Sequence, residues 1–282
     1  RPYWGLLLLA VALPVWDLAP FSGRWFWSEF DALCVVVLAV VWARTPKPQK
    51  PQMPGARTVW LVWLGVRAWG AVLAAWGWWG LGEGFSPNSW ASYLGPMNGW
   101  RVFKGGVLGL WWVWCIHRLN SWQPGQGTQS WMWGAWGGLL ACTLGVLWER
   151  AAFDHLWDFD SSYRVTGVMS EMHVGGAYLE AYVLVAMACV WAGTVATFRW
   201  SVRLAGVLLL LLGTYTLLVT FSRAAYLGGA VMVLTLLVVY LASVLRHARL
   251  SYTTAVLGGV LVAVASVPFW QSDFLQMRLA QT

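Results

Sequence analysis

The sequence contains little charge. Only 10% of its 282 residues are Asp, Glu, Lys or Arg, whereas 59% are hydrophobic, and the mean hydropathy is +0.60. Soluble globular domains are about 25% charged, so the composition excludes an ordinary soluble fold. The chain also holds 25 tryptophans, many of them at the ends of apolar runs, where their amphipathic rings suit the lipid headgroup region. The composition therefore predicts an integral membrane protein, an all-α bundle of transmembrane helices.

Cysteine is scarce as well. Each cysteine lies within an apolar run, and no two of them have the spacing of a metal or redox site. We therefore expect buried thiols that act as small hydrophobic groups, with no structural disulfide. A glycine-rich phosphate loop is also missing, because the glycine clusters lie inside apolar runs and are typical of close helix packing. The four cysteines are Cys34, Cys115, Cys142 and Cys189.

Apolar runs along the chain are long enough to cross a bilayer core of about 30 Å, which takes about 17 to 25 residues. We interpret residues 1–282 as a single membrane domain. Because the chain begins with Arg1 and ends just after an apolar run, we expect it to be the N-terminal part of a longer protein. The second and fourth predicted spans are short. The nine spans lie near 3–20, 29–43, 58–81, 102–117, 131–148, 174–195, 204–221, 224–244 and 252–269.

The distribution of charge predicts the orientation. With a cytoplasmic N-terminus, more of the basic residues fall in the cytoplasmic segments than in the outer ones, as the positive-inside rule requires. All 11 acidic residues then fall on or near the outer side. Polar chemistry is therefore expected at the outer face.

The outer segment 148–182, "WERAAFDHLWDFDSSYRVTGVMSEMHVGGAYLEAY", is the richest in polar groups. His155, Asp158 and Asp160 are close enough in sequence to suggest a divalent cation, which prefers oxygen ligands. Their spacing matches no closed ligand pattern, and arginines lie nearby. We therefore favour a solvated acidic loop and predict neither a metal site nor a cofactor.

Three charged positions are predicted inside or beside the spans. A helix that begins near Glu171 would place His173 and Glu180 on one face. A carboxylate within a span usually faces the bundle interior or a wet cavity, although Glu180 could also form a structural ion pair with an arginine. Arg67 lies near the middle of the third span, where it would either pair with a buried acid or line a path for an anionic substrate.

The stretch "VTFSRAAYLGGAV", residues 219–231, predicts a tight outer turn between two antiparallel helices. Ser222 suits the N-cap of the second helix. The free N–H groups of that helix, its dipole and Arg223 would together favour an anion, and the planar guanidinium suits a phosphate or pyrophosphate. The alternative is an interfacial arginine that anchors the hairpin to headgroups.

Two stretches together resemble the O-antigen ligase and O-antigen polymerase superfamily. "RVTGVMSEMHVGGAYL" (164–179) is similar to its Arg-x-x-Gly motif before a polar helix start, and "TFSRAAYLGG" (220–229) is similar to its Ser-Arg-Gly/Ala helix opening. The two are separated by one helical hairpin, and the resemblance covers residues 160–282.

The resemblance implies a multi-pass glycosyltransferase of the bacterial inner membrane, active at the periplasmic face in polysaccharide or lipopolysaccharide synthesis. The donor would be a glycan on undecaprenyl pyrophosphate, and the acceptor a glycan, a lipid or a protein. Transfer would be inverting and metal-independent, and ligase, polymerase and protein O-glycosyltransferase remain open. A histidine in a large periplasmic loop, which residues 270–282 would begin, would be the general base.

The same resemblance implies the roles of individual side chains. Arg164 and Arg223 would hold the pyrophosphate. His173, which stands where many relatives have asparagine or another polar residue, is the third catalytic candidate. The substrate-binding candidates are Tyr163, Glu171, Glu180, Ser222 and Arg67.

Two alternatives from other classes stay open. One is a transporter or flippase of a lipid-linked or anionic substrate, with Arg67 and Glu180 as charges along its path. The other is a non-catalytic membrane subunit of a polysaccharide assembly complex. Membrane lipids are expected partners in every case, and a nucleic acid is not.

Overall fold

The regular secondary structure of the described residues is α-helical. The computed structural model describes residues 2–15, 27–46, isolated positions between 61 and 72, 98–159, 163–169, 177–197 and 199–247, and these ranges contain no strand. The all-α prediction is therefore confirmed. The seven helices within them are α1 (Pro2–Val15), α2 (Glu29–Arg44), α3 (Asn98–Trp122), α4 (Gln126–Phe153), α5 (Ala177–Ala196), α6 (Trp200–Val219) and α7 (Arg223–His247).

Three of these helices are long and apolar enough to cross a membrane: α4, the Leu179–Ala196 part of α5, and α6. At 1.5 Å per residue, a helix of about 20 residues spans the ~30 Å hydrocarbon core. Two shorter apolar helical segments, Pro2–Val15 and Ala224–Leu236, accompany them. These helices are consistent with the predicted membrane protein, while the full set of nine spans stays a prediction.

The helix bounds differ from the predicted spans mainly at polar ends. The fourth span, predicted as short at 102–117, lies inside α3, which has 25 residues. Hydropathy missed its ends because polar residues such as Asn98 and Asn120 continue the helix beyond the apolar run. Most of the predicted span 58–81 and all of 252–269, with residues 270–282, lie outside the described residues.

The chain divides into two compact units, Arg1–Gly134 and Ala135–Thr282, with the boundary inside α4. The interpretation of residues 1–282 as one membrane domain stays a prediction. The cysteines behave as expected in both units. Cys34, Cys115 and Cys142 are buried, Cys189 is half-buried, and all four are free thiols.

In the first unit, α2 packs against α1 and α3. Ser28 caps the N-terminus of α2, since its hydroxyl accepts a hydrogen bond from the Asp31 N–H (3.3 Å) while the Asp31 carboxylate accepts one from the Ser28 N–H (2.7 Å). Lys104 of α3 forms a salt bridge to the same carboxylate. The core of this unit is apolar and consists of Leu6, Leu9, Ala10, Cys34, Leu38, Val41, Trp112, Cys115 and Leu119.

At the opposite end of α2, Arg118 of α3 is only 5% exposed. Its Nε donates to the Pro46 carbonyl at 3.3 Å, and a terminal nitrogen donates to the Thr45 carbonyl. The guanidinium also lies over the Trp42 ring, 4.3 Å from its centroid. Arg118 therefore satisfies carbonyls that no helical N–H can reach and ties the end of α2 to α3.

We predict that Arg118→Leu destabilises the first unit, because it leaves two carbonyls without their charged donor and removes the ring contact. The expected loss of unfolding free energy is about 2–4 kcal/mol, measured by denaturant unfolding in detergent with tryptophan fluorescence. Arg44→Ala, at an exposed position, serves as the control. Equal stability of the two variants would contradict this role.

In the second unit, α5 packs against both α6 and α7. Residues 197–199 connect α5 to α6, and Thr220–Ser222 connect α6 to α7, so α5 and α7 begin at the same end. Gly206 of α6 allows close packing, because an added Cβ would lie 2.0 Å from the Thr194 hydroxyl oxygen. The buried core of this unit includes Leu139, Cys142, Val146, Leu179, Val183, Val190, Leu209, Leu217, Phe221 and Ala225.

Candidate functional site

Two adjacent charged residues end the apolar part of α4. Glu149 is 5% exposed and Arg150 is 0% exposed. Neighbouring side chains point about 100° apart around a helix, so the two can bind different parts of the following chain. Buried charges are stable only when paired or hydrogen-bonded, and both of these bind the segment that follows α4.

The Glu149 carboxylate holds the 163–169 segment. It accepts hydrogen bonds from the Tyr163 hydroxyl (2.8 Å), the Thr166 N–H (3.0 Å) and the Gly167 N–H (2.5 Å), and the Thr166 hydroxyl lies at 3.3 Å. Such charge-assisted bonds are stronger than neutral ones. The carboxylate thereby fixes the backbone of this segment against the end of α4.

Arg150 holds the stretch immediately after the helix. One guanidinium nitrogen forms a salt bridge with Asp154, and the other donates to the backbone carbonyls of His155 (2.7 Å) and Asp158. The Tyr215 hydroxyl of α6 donates to the Leu156 carbonyl at 2.8 Å. Residues 154–159 are therefore folded onto α4 and α6.

Tyr163 is held in its neutral form. Burial, the hydrogen bond to Glu149 and the negative charge of that carboxylate raise the pKa of Tyr163 from 10.0 to about 12. The hydrogen bond from Tyr163 to Glu149 both raises this pKa and fixes the 163–169 segment. The pKa of Tyr163 is therefore a measure of whether that hydrogen bond is formed.

The four residues of the Arg-x-x-Gly motif, 164–167, make different contacts. Val165 is buried in the core at 1% exposure, and Thr166 binds Glu149. Gly167 has a left-handed backbone (φ +62), which glycine adopts without steric cost, and an added Cβ would lie 3.0 Å from Val146. Arg164 is the exposed member of the four. The contacts of Val165, Thr166 and Gly167 therefore fix the loop, and the Arg164 side chain is exposed.

The turn from α6 to α7 is short and strained. Phe221 has a left-handed backbone with φ 49 and is 6% exposed, a rare conformation for a bulky residue. Ser222 caps α7 as predicted, because its hydroxyl accepts from the Ala225 N–H at 3.4 Å. The Tyr226 hydroxyl secures the turn by donating to the Leu218 carbonyl at 3.0 Å.

Glu180 lies near both the 163–169 segment and the turn from α6 to α7. It stands in the first turn of α5 and is 4% exposed. The Ser222 hydroxyl and the Arg164 charge both lie near enough to influence its carboxylate. Its Oε1 is buried and has no hydrogen-bond partner in the described part of the chain. The two quoted motifs therefore meet at Glu180.

The structure brings together three of the predicted site residues: Arg164, Glu180 and Ser222. Tyr163 lies on the adjacent loop and binds Glu149. Arg223 is the first residue of α7, but its side chain lies outside the described part. Glu171, His173 and Arg67 lie outside it as well, and so does a helix start near Glu171, because the described α5 begins at Ala177.

The expectation of a solvated acidic loop was wrong for Glu149 and Asp154. Both carboxylates bind protein groups, since an arginine and several loop N–H groups lie within their reach. His155 and Asp158 contribute backbone carbonyls to Arg150, and Asp160 lies outside the described residues. Among the residues that are described, no three His, Cys, Asp or Glu side chains group as metal ligands.

Sequence reasoning missed the anchoring roles of Glu149, Arg150 and Tyr215. The available signal was an acidic and a basic residue side by side at the end of an apolar helix, before a loop with its own backbone N–H and carbonyl groups to satisfy. Comparisons with models of protein families, with curated proteins and with solved structures found no match to this chain.

We predict that Glu149→Gln loosens the 163–169 segment, because an amide replaces a carboxylate facing several donors, at a cost of about 3 kcal/mol. The pKa of Tyr163 then falls from about 12 toward 10.0. In the wild type, the stabilisation linked to this raised pKa is complete below the ordinary pKa and is lost as pH rises through the folded-state value.

Ultraviolet titration of tyrosine ionisation measures this effect, and Tyr163→Phe identifies the transition that belongs to Tyr163. The role of Glu149 is refuted if the Tyr163 transition occurs at the same pH in the wild type and in Glu149→Gln.

A second prediction concerns Arg150→Lys. A lysine cannot reach the acceptors that the guanidinium fork binds together, so we expect amide hydrogen exchange in residues 154–159 to quicken by about tenfold or more. Exchange followed by mass spectrometry checks this, with Arg199→Lys at an exposed position as the matched control. Unchanged protection of residues 154–159 would count against the anchor.

Proposed function

We propose that this chain is part of a multi-pass glycosyltransferase of a bacterial inner membrane. It transfers or polymerises a glycan carried on undecaprenyl pyrophosphate, and it works at the periplasmic face. The topology proposed with it has nine spans in residues 1–282 and a cytoplasmic N-terminus, as the charge distribution indicates.

The observation that carries this proposal is the meeting of the two motifs at Glu180. Arg164 is exposed on a loop whose other residues are fixed by Glu149 and by the core. Its charge and the Ser222 hydroxyl both lie near enough to influence the Glu180 carboxylate. Ser222 caps α7, and Arg223 is the first residue of that helix. An exposed guanidinium and a helix N-terminus are therefore near each other.

These groups suit an anion. The free N–H groups at the start of a helix and its dipole attract negative charge, and arginine forms paired hydrogen bonds with phosphate oxygens. Near a membrane interface the dielectric is low, so the same interactions are stronger than in water. A pyrophosphate that bridges Arg164 and Arg223 would satisfy both.

In the proposed reaction, the oxygen of an acceptor hydroxyl forms a bond with the anomeric carbon of the donor sugar. The bond from that carbon to the pyrophosphate oxygen breaks, and its electron pair leaves with the pyrophosphate. Guanidinium groups stabilise the charge that develops on this leaving group. The acceptor proton passes to a general base, which the resemblance assigns to a histidine in a large periplasmic loop.

The resemblance assigns the remaining candidates to the same site. His173 and Glu171 precede α5 in the sequence, Tyr163 precedes Arg164 in the anchored loop, and Arg67 is proposed to line the path of the anionic substrate. The acceptor is a glycan, a lipid or a protein hydroxyl. No metal or other cofactor is required by this chemistry.

We predict that Arg164→Ala and Arg223→Ala each lower glycan transfer by about 10²–10³, the usual cost of losing a donor to developing charge. Arg164→Lys should retain part of the activity, because lysine keeps the charge without the planar fork. The measurement is transfer from a synthetic polyprenyl-pyrophosphate glycan in vesicles, together with surface polysaccharide in cells that carry each variant.

Arg199→Ala is the control, because this exposed arginine immediately precedes α6 and makes no side-chain capping bond. Full activity of both Arg164→Ala and Arg223→Ala would overturn the proposal. Movement of the lipid-linked glycan across the vesicle membrane without any transfer would favour a flippase instead.

A further inference from the structure

The end of α4 has its charged side chains inside and an aromatic side chain outside. Trp148 is 68% exposed, whereas the next two residues, Glu149 and Arg150, are 5% and 0% exposed. A protein surface in water has the opposite pattern, because charged groups gain from hydration and a large apolar ring does not. This inversion indicates that the medium around the end of α4 is not bulk water.

Two more exposed rings follow Trp148, and the three together are called the α4-end aromatics: Trp148, Phe153 and Trp157. Phe153 is 65% exposed and Trp157 is 76% exposed. Trp148 and Phe153 contact each other edge to face, with ring centroids 6.2 Å apart. Trp157 contacts the Tyr215 ring of α6, with centroids 6.4 Å apart. These contacts hold the rings in place while most of their surface stays exposed.

The exposed apolar surface continues from Trp148 along α4. Leu140 and Leu144 are both exposed, and they precede Trp148 at intervals of four residues, so the three side chains lie on one side of the helix. Residues 135–148 of α4 contain no Asp, Glu, Lys or Arg. This side of α4 is therefore apolar up to the tryptophan at its end.

α6 carries the same pattern in the opposite direction. Its first residue, Trp200, is 74% exposed, and the exposed Leu204 and Leu208 follow at intervals of four. Tyr215, near the other end of α6, donates a hydrogen bond to the Leu156 carbonyl. Trp200 and the α4-end aromatics therefore lie at opposite ends of the second unit, with leucines between them, as in helices that cross a bilayer.

Lipid is the partner that fits this surface. Both α4 and α6 are long and apolar enough to cross a membrane, and the amphipathic rings of tryptophan favour the headgroup layer. We propose that the α4-end aromatics are the contact of the second unit with the headgroup layer of a lipid bilayer. Leu140 and Leu144 then face the hydrocarbon.

This depth also applies to the chain that α4 holds. Arg150 binds residues 154–159, and Glu149 binds the 163–169 segment, and both follow Trp148 directly. Both segments therefore lie at headgroup depth, and the exposed Arg164 side chain is surrounded by lipid headgroups. The inference holds whether or not the chain transfers a glycan, because it depends only on burial and on the positions of the apolar side chains.

Spin labelling of the purified protein in phospholipid nanodiscs tests the depth of these positions. A nitroxide is attached to one cysteine at a time, and its collision rates with oxygen and with a water-soluble nickel chelate are measured. Hydrocarbon excludes the polar chelate but not oxygen. The unsubstituted protein, whose own cysteines are buried or half-buried, gives the background labelling. The labelled variants are Leu140→Cys, Leu144→Cys, Trp148→Cys and Trp157→Cys.

We expect the ratio of oxygen to nickel collisions to be highest at the two leucine positions, lower at Trp148 and lowest at Trp157. At all four positions it should stay several-fold above the ratio for the same nitroxide on a peptide in water. Because the four side chains are exposed, these substitutions leave the core unchanged.

A second measurement asks whether Trp157 itself shields the chain after α4. A nitroxide at His155→Cys, an exposed position, reports on access of the nickel chelate. We expect Trp157→Ser to raise the nickel collision rate several-fold, because serine does not replace the interfacial ring, whereas Trp157→Tyr should keep the original rate. Trp200→Ser, at the opposite end of the unit, is the matched control and should also keep it.

Several results would overturn the proposal. Frequent nickel collisions at all four labelled positions would place this surface in water. Low collision rates with both reagents would mean that protein covers it, and dipolar broadening of the spectra would identify that protein as a second copy of the chain. An unchanged nickel collision rate at residue 155 in Trp157→Ser would refute the contact of Trp157 with the headgroup layer.

Discussion

The buried Glu149 carboxylate is the interaction on which the candidate site depends. It receives hydrogen bonds from a tyrosine hydroxyl and from consecutive backbone N–H groups of the 163–169 segment. A loop of this kind has no regular secondary structure to satisfy its backbone, so an acceptor must be supplied from elsewhere. Arg150 binds the backbone carbonyls of His155 and Asp158, so one turn of α4 holds both residues 154–159 and the 163–169 segment.

This arrangement explains why Arg150 is enclosed whereas Arg164 is exposed. Arg150 is completely enclosed, and its charge is neutralised by Asp154. Arg164 lies in the 163–169 segment and is exposed, because the residues after it provide the contacts that fix the backbone. The same residue type is therefore buried and paired at one position and exposed at the other. Burial and local partners make this difference.

Sequence reasoning identified the helical class and the position of most helices, because both depend on local patterns. Apolar runs mark helices such as α6, and Ser222 before an apolar stretch marks an N-cap. The anchoring by Glu149 could not be read in the same way. It requires the Glu149 carboxylate to meet the N–H groups of Thr166 and Gly167, which lie seventeen and eighteen positions later in the chain. No periodicity in the sequence indicates such a contact. The polar ends of α3 were missed because hydropathy detects contact with lipid, whereas a helix continues as long as its backbone bonds are satisfied.

The left-handed backbone of Phe221 has a consequence for how the turn can move. Left-handed geometry costs a residue with a Cβ roughly 1–2 kcal/mol, and here the ring is packed in the core. The backbone can relax only if the ring leaves its position, so the start of α7 cannot shift independently of the interior. The short turn therefore holds the N-terminus of α7 in a fixed position against the core.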